Sequence, residues 1–548
     1  MVLHSSGYVY YSGSSGAFGI MSSKAIDSVT LMLEGYQSVS TKVETSKFQV
    51  LVLKTLYTSA NVQRNKLVSV TRNLRLEDKK NWTVGNETYS SLLENGFVVA
   101  QKNPETGFAV HTDKASYSNV RRFLNMNTQV PPDAVRTEEM LNYFNFEYHS
   151  PPKDSVFGFE SYVTDCPWNP NSQLLMLHVC ARKIEPEKIP PSNLVFLVDI
   201  SGSMDMPNRL PLLKSAFKLL VDNLRDQDTV SIVVYGSTVG IWLTPTSGKE
   251  KEKIRKAIEE LYPGGATAGE SGIRTAYQLA KSKFIKGGNN RVILATDGDF
   301  NVGQSSDEEL ENIITQHQKW GIYLTCLGVG MGNYKDSKLE VLAKKGNGNF
   351  AYLDDEKEAE KVLVKELTQT LYSVADNVYM NIWFNASMVR QYRLIGFDNK
   401  LKALADSSSE VEGGEVGSGH SMMALFEITP VSDGLTGNFY DKNGLAKVTV
   451  NYRLPADSTP MITTYRCSSD FTPFEELPSC YRFASSVAMF AALLKDSKYV
   501  QRINWTDVLI VAKDSSNPED MVQQEFLTMV NKAKKIYGKP RRKKAPAE

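Results

Sequence analysis

The sequence predicts an α/β domain with a mostly parallel sheet, inserted into a β-sandwich and followed by a helical region. Three observations carry that reading. Short apolar runs recur in the middle of the chain, among them NLVFLVDI from Asn193 and RVILATDG from Arg291, as strands buried on both faces require. Amphipathic stretches separate these runs, which is the pattern of βαβ units. Strand-like segments also lie on both sides of this block, so one sandwich interrupted by the α/β domain is the economical arrangement.

Composition sets the outer bounds. At ~150 residues per domain, 548 residues suit three to four domains. Apolar residues make up 41%, enough for sizeable cores, and 62 basic side chains balance 62 acidic ones. That balance excludes a highly charged disordered chain and argues against a nucleic-acid binder, which needs a basic excess facing phosphates. Five cysteines without CxxC spacing are not a disulfide framework; one pair is able to bridge in an oxidising compartment, and the odd count leaves a free thiol. The six histidines are scattered, with no HExxH or HxxxH pair, which speaks against a zinc enzyme. The longest apolar stretch, Phe483 to Leu494, is short of the ~20 residues that span a bilayer and reads as a packed helix. The opening MVLHSSGYVYYSGSSG has neither a basic n-region nor an apolar h-region, so no export signal is visible.

Taken in order, residues 1–54 read as short strands, Ser28–Leu33 and Phe48–Leu53, around a polar turn. Residues 55–110 are polar and aperiodic and read as linker. Residues 111–190 give two helices, Ser116–Asn125 and Asp133–Tyr143, with Pro131 and Pro132 before the second, then strands Val156–Val163 and Leu174–Cys180. Residues 191–374 form the α/β domain. Its helices cover Leu210–Leu224, Glu250–Leu261, Ser271–Phe284, Asp307–Trp320, Lys338–Lys344 and Lys357–Val374. Between them lie the strands NLVFLVDI, VSIVVYG, IWLTPT, RVILATDG, YLTCLGVG and NFAYLD. Residues 375–470 return to strands at Val378–Phe384, Gln391–Phe397, Met422–Ile428, Lys447–Tyr452 and Met461–Tyr465, with SSSEVEGGEVGSG as a polar loop. Residues 471–538 are helical at Tyr481–Leu494, Trp505–Ala512 and Asp520–Tyr537. Residues 539–548, KPRRKKAPAE, are a solvated basic tail.

The chemistry sits in DISGSM, just past the first buried strand and before a helix. Asp199, Ser201 and Ser203 place a carboxylate and two hydroxyls at i, i+2 and i+4, and Gly202 lets the loop curl so that they face one point. These hard oxygen donors suit Mg²⁺, Mn²⁺ or Ca²⁺. TDG at Thr296–Gly298 ends a later strand and puts Asp297 on the same edge of the sheet, where ligands of open α/β sheets collect. The loop GGATAG, Gly264 to Gly269, presents Thr267.

DxSxS, a threonine in a glycine-rich loop and TDG, in that order, resemble the metal-ion-dependent adhesion site of von Willebrand factor type A (VWA) domains. The resemblance implies five ligands: Ser201, Ser203 and Thr267 directly, Asp199 and Asp297 largely through waters. It also implies one metal position left for a partner's carboxylate. DKASYSNVRRFLN, VRTEEMLNYFNFEY, CPWNPNSQLL, LGVGMGNYKDSKLEVLAKKGNGNFAYLD and YRLIGFDN are similar to the bacterial YfbK-like VWA proteins over roughly residues 110–537. Members are typically envelope-associated and begin with a signal, so the expectation is the cell envelope with a truncated start; a cytoplasmic location is the alternative. The run SVTLMLEGYQSVSTKVETSKFQVLVLK resembles the end of a carboxypeptidase-regulatory-like β-sandwich.

The expected function is therefore divalent-metal-dependent protein binding, with no catalysis and with an acidic side chain of a partner protein completing the site. The alternative is an intracellular partner of an AAA-type, MoxR-like ATPase. A metal-dependent hydrolase needs a general base beside the metal, and no motif supplies one. Other signals carry less. GVGMG at Gly328 reads as a tight βα turn, not a dinucleotide fingerprint. TSGKEK lacks Walker spacing, and the sequons at Asn81, Asn86, Asn385 and Asn504 matter only in a glycosylating host.

Overall fold

The computed structural model describes residues 2–6, 22–32, 38–47, 94–110, 113–146, 148–236, 239–264, 269–298, 307–330, 336–366, 372–397, 413–431, 444–455, 459–500 and 502–538, with the single residues 49, 51, 53, 87, 89 and 369. Two compact units result, residues 1–82 and 83–548.

In the first unit, β1 (Val2–Leu3), β2 (Ile26–Leu31) and β3 (Val39–Glu44) form an antiparallel sheet in that order. Val29 and Leu31 point to one face, with Leu3 and Val43, as the period of two requires. The strand expected at Phe48–Leu53 is not found. Three of its residues lie outside the described ones, and the other three are not in a strand.

The second unit opens with β4 (Val98–Val99), β5 (Glu105–Ala109), α1 (Ala115–Asn125), α2 (Thr137–Asn142), β6 (Phe157–Asp165) and β7 (Gln173–Ala181). The α/β domain follows as β8 (Ser192–Asp199), α3 (Leu210–Asp222), β9 (Thr229–Tyr235), β10 (Val239–Ser247), α4 (Lys251–Glu259), α5 (Gly269–Ser282), β11 (Asn289–Thr296), α6 (Asp307–Lys319), β12 (Ile322–Val329), α7 (Asp336–Lys345), β13 (Phe350–Leu353) and α8 (Glu356–Glu360). Then come β14 (Ser373–Phe384), β15 (Val389–Ile395), β16 (Gly414–Gly417), β17 (Ser421–Pro430), β18 (Ala446–Arg453), β19 (Pro460–Cys467), α9 (Ser479–Lys495), α10 (Trp505–Ser515) and α11 (Met521–Tyr537).

The α/β sheet runs β10-β9-β8-β11-β12-β13, parallel except for the antiparallel edge strand β10. Every residue of β8 and β11 is buried, because helices cover both faces. Leu213, Phe217 and Leu220 of α3 pack on one face with Phe196 and Val198, and Ile273 and Tyr277 of α5 pack on the other with Val195 and Leu197.

The sandwich is assembled from both sides of this insertion. One sheet is β4-β15-β17-β7-β6; the other is β16-β14-β18-β19, with β5 also on β14. Leu175, Leu177 and Phe426 from the first meet Met380, Ile382 and Val448 from the second.

Three expectations are corrected here. The segment 55–110 is not all linker: Val98–Val99 pairs with β15, and Glu105–Ala109 pairs with β14. The polar loop SSSEVEGGEVGSG contains a buried strand, β16, paired with β14. The helix expected at Lys357–Val374 passes through one turn of π-helix, Lys361–Lys365, and does not reach Val374, because β14 has begun by Ser373.

The helices before and after the α/β insertion share one core. Phe144 after α2 stacks edge-on against Phe483 of α9 and Phe526 of α11. Arg121 of α1 donates to Glu358 of α8 at 2.7 Å, to Glu525 of α11 at 2.9 Å and to the Tyr143 hydroxyl at 2.9 Å, and also pairs with Asp354. All five cysteines are free thiols. No helix among the described residues is long and apolar enough to cross a membrane.

Candidate metal centre

Strand β8 has β9 on one side and β11 on the other. From β8 the chain passes to β9 on one side and later returns to β11 on the other, so the strand order reverses between β8 and β11, where ligands of open α/β sheets collect. Asp199 is the last residue of β8, and Thr296 the last of β11. Asp199 is wholly buried. Its Oδ1 accepts the backbone N–H of Ser201 at 2.8 Å, and its Oδ2 accepts the Thr296 hydroxyl at 3.1 Å. The first bond is an Asx-type turn that curls the loop. It brings the Ser201 and Ser203 hydroxyls to 3.0 Å from each other. Ser201 and Asp297 are buried, whereas Ser203 is exposed, so the site opens to solvent on the serine side.

A guanidinium ties the two loops. Arg209 Nη1 donates to the Ser203 carbonyl and to Asp297 Oδ2, each at 2.6 Å. Gly330, at φ +80°, makes room for it: a Cβ there would lie 2.4 Å from Arg209 Nε. Gly330 of GVGMG therefore shapes the arginine's berth, and Met331 and Gly332 lie outside the described residues. The start of the glycine-rich loop is also fixed, since Gly264 N–H donates to the Ile200 carbonyl at 2.6 Å, one residue from Asp199. Thr267 lies outside the described residues.

The electrostatics suit a cation. Burial first, and then the charge of Asp297, push the Asp199 carboxyl up to about 6. Two carboxylates and two serine hydroxyls make an oxygen donor set that fits a hard divalent ion, and the Arg209 guanidinium offsets one of the two negative charges. The structure thus brings Asp199, Ser201, Ser203 and Asp297 together. Reading the sequence missed Thr296, whose place beside Asp297 in TDG was visible, and Arg209, whose role depends on the fold.

A second cluster was also missed. The histidines are scattered in sequence, yet His149 and His178 have ring centroids 5.7 Å apart. Glu160 lies between them, with His149 Nε2 3.1 Å from its Oε2. The sequence holds no HExxH or HxxxH pair, and it is the fold that brings these residues together.

The von Willebrand factor type A domain model matches residues 193–367, a model described as von Willebrand factor matches 83–176, and "Uncharacterized protein YfbK, C-terminal" matches 369–536. The protein named YfbK of Escherichia coli K12 is 34% identical over 471 residues, covering 82% of this chain and 81% of the relative. The chain belongs to the YfbK family of VWA-domain proteins. Another relative, sll0103 of Synechocystis, is 29% identical over 194 residues, which is 35% of this chain and 44% of that one. Among solved structures, a von Willebrand factor type A protein from Catenulispora acidiphila covers 71% of this chain and 90% of its own at 15% identity, with a TM-score of 0.39. In this YfbK-family chain the VWA match coincides with the α/β insertion, and the YfbK C-terminal match spans the returning sandwich strands and the last three helices.

Proposed function

We propose that this chain is a divalent-metal-dependent protein-binding module of the bacterial cell envelope, acting through the loops at the ends of β8 and β11. The observation that supports the reading is the convergence of Asp199, Ser201, Ser203 and Asp297 where the strand order reverses. These four residues, with Thr267, would hold Mg²⁺ (or Mn²⁺ or Ca²⁺), which when bound supplies a coordination position for a carboxylate of a partner protein.

The chain's own residues divide the work. Asp199, buried at the strand end, fixes the turn that aims Ser201 and Ser203. Exposed Ser203 marks the side from which a partner approaches. Arg209 holds the Asp297 loop to the serine loop and balances one of the two carboxylates. The junction with the sandwich is remote: Arg291, near the start of β11, pairs with Glu415, about 20 Å along the strand from Asp297.

Calorimetric titration of Mg²⁺ into the chelator-treated full chain tests the metal site. One bound ion, lost in Asp199→Ala and in Ser201→Ala with the fold intact, is the expected result. Binding unchanged in both variants, or no binding in the wild type, would overturn the reading. Fractionation of expressing cells tests the compartment, with recovery in the cytosol alone counting against it.

A further inference from the structure

We propose that His149, Glu160 and His178 form a second metal centre, for Zn²⁺, on the sandwich face beneath α9. It is independent of the Asp199 site and differs from it in chemistry. Two imidazoles and one carboxylate suit Zn²⁺, with a fourth position left open, and do not suit Mg²⁺.

The fold builds this cluster deliberately. Glu160 on β6 and His178 on β7 are directly opposed cross-strand partners, so both project from the same face. His149 arrives from the segment before β6. Gly158, on that same face two residues before Glu160, lets it lie close, since a Cβ there would come within 3.2 Å of the His149 carbonyl. One ligand atom from each residue lies within 4.8 Å of the other two. The His149 and Glu160 side chains are 39% and 36% exposed, so they are free to close the remaining gap to zinc bond lengths of about 2.0–2.2 Å.

Outer partners fix the orientation. His178 is 1% exposed, and its Nε2 lies 2.6 Å from the Ser421 hydroxyl. With Nε2–H donating to that oxygen, Nδ1 presents its lone pair to the cluster, 3.4 Å from the Tyr481 hydroxyl. Tyr481, on α9, in turn donates to Glu160 Oε2 at 3.0 Å. Metal-ligating histidines and carboxylates are characteristically held by such second contacts. A plain His149–Glu160 ion pair explains neither the buried His178 beside it nor the tyrosine hydroxyl that bonds Glu160 and lies 3.4 Å from His178 Nδ1.

The test is Zn²⁺ titration of the chelator-stripped full chain against a competing chromophoric chelator, with folding followed by circular dichroism. The expected result is one tight Zn²⁺ in the wild type and equally in Asp199→Ala. Affinity should fall at least about 100-fold in His149→Ala and in Glu160→Gln, since loss of even an outer partner costs up to that much. Both substitutions lie at half-exposed positions, which protects the fold. Co²⁺ in place of Zn²⁺ should give visible absorption that disappears in the same variants. No tight Zn²⁺ in the wild type, or Zn²⁺ affinity unchanged in His149→Ala and Glu160→Gln, would overturn the proposal. Zn²⁺ binding lost in Asp199→Ala alone would assign the ion to the other site and also overturn it.

Discussion

Arg209 Nη1 donates to Asp297 Oδ2 at 2.6 Å, and the same nitrogen holds the carbonyl of Ser203. One side chain thus joins the loops that carry the proposed ligands, and it places a fixed positive charge beside one of them. Asp199 is served differently, by the Ser201 backbone N–H and the Thr296 hydroxyl. The site is preorganised from within and still short of positive charge.

Arg209→Gln separates these two effects. Removing a like charge near the cation should raise Mg²⁺ affinity several-fold, while loss of the tie between loops lowers the melting temperature. Calorimetric titration and thermal unfolding check both. A fall in Mg²⁺ affinity would show that positioning outweighs repulsion.

Acid should destabilise the protein in two windows. Burial, then Lys114, hold His420 down to about 3, and an ordinary histidine titrates near 6.5. The folded state therefore prefers the neutral ring. Its contribution is complete above pH 6.5 and is lost as pH falls toward 3, on the order of 4 kcal/mol in all. Burial alone would raise Glu366, but the ammonium groups of Lys114 and Lys361 override it and hold the carboxyl at about 2. That contribution is present above pH 4.5 and drains below it. Urea unfolding of metal-free protein across pH, with His420→Asn as control, should show the upper window flattened and the lower one kept.

Arg291 of β11 and Glu415 of β16 form a fully buried pair, with Nη2 2.7 Å from Oε1. Arg291→Met should cost about 3–5 kcal/mol because it strands a buried carboxylate. The double variant Arg291→Met, Glu415→Leu should recover most of that loss. Denaturant melts of the single and double variants decide it; equal losses would mean that the pair's geometry, and not the stranded charge, sets the cost.

Arg121 is the knot between α1, α8 and α11. Arg121→Lys cannot reproduce the forked geometry. Hydrogen exchange should quicken in α8 and α11 while β8 and β11 stay protected. Uniform quickening would show that the knot supports the whole unit.

What was legible in the sequence follows from what is local. β8 and β11 announce themselves because helices cover both faces of the sheet, leaving uninterrupted apolar runs. Asp199, Ser201 and Ser203 lie within five residues and share one loop, so their convergence needs only a turn. The misses are non-local. Glu160 and His178 meet through strand register, which no motif spacing records. The strand at Gly414–Gly417 was hidden by its own glycines. A Cβ on Gly417 would sit 1.8 Å from the Gln369 carbonyl oxygen, and one on Gly413, just before the strand, 2.2 Å from the carbonyl carbon of Asn377. These residues are small because backbone crowds them, and their composition reads as loop. The short strands β4 and β5 owe their conformation to β15 and β14, residues some 280 positions later.

The most direct measurement is affinity capture by the full chain from envelope and cytosolic extracts, with bound proteins quantified by mass spectrometry in three arms: wild type with Mg²⁺, wild type in EDTA, and Asp199→Ala with Mg²⁺. If the Asp199 site captures a protein partner through its metal, a defined envelope protein is present in the first arm and lost in the other two. The same bound set in all three arms would contradict it.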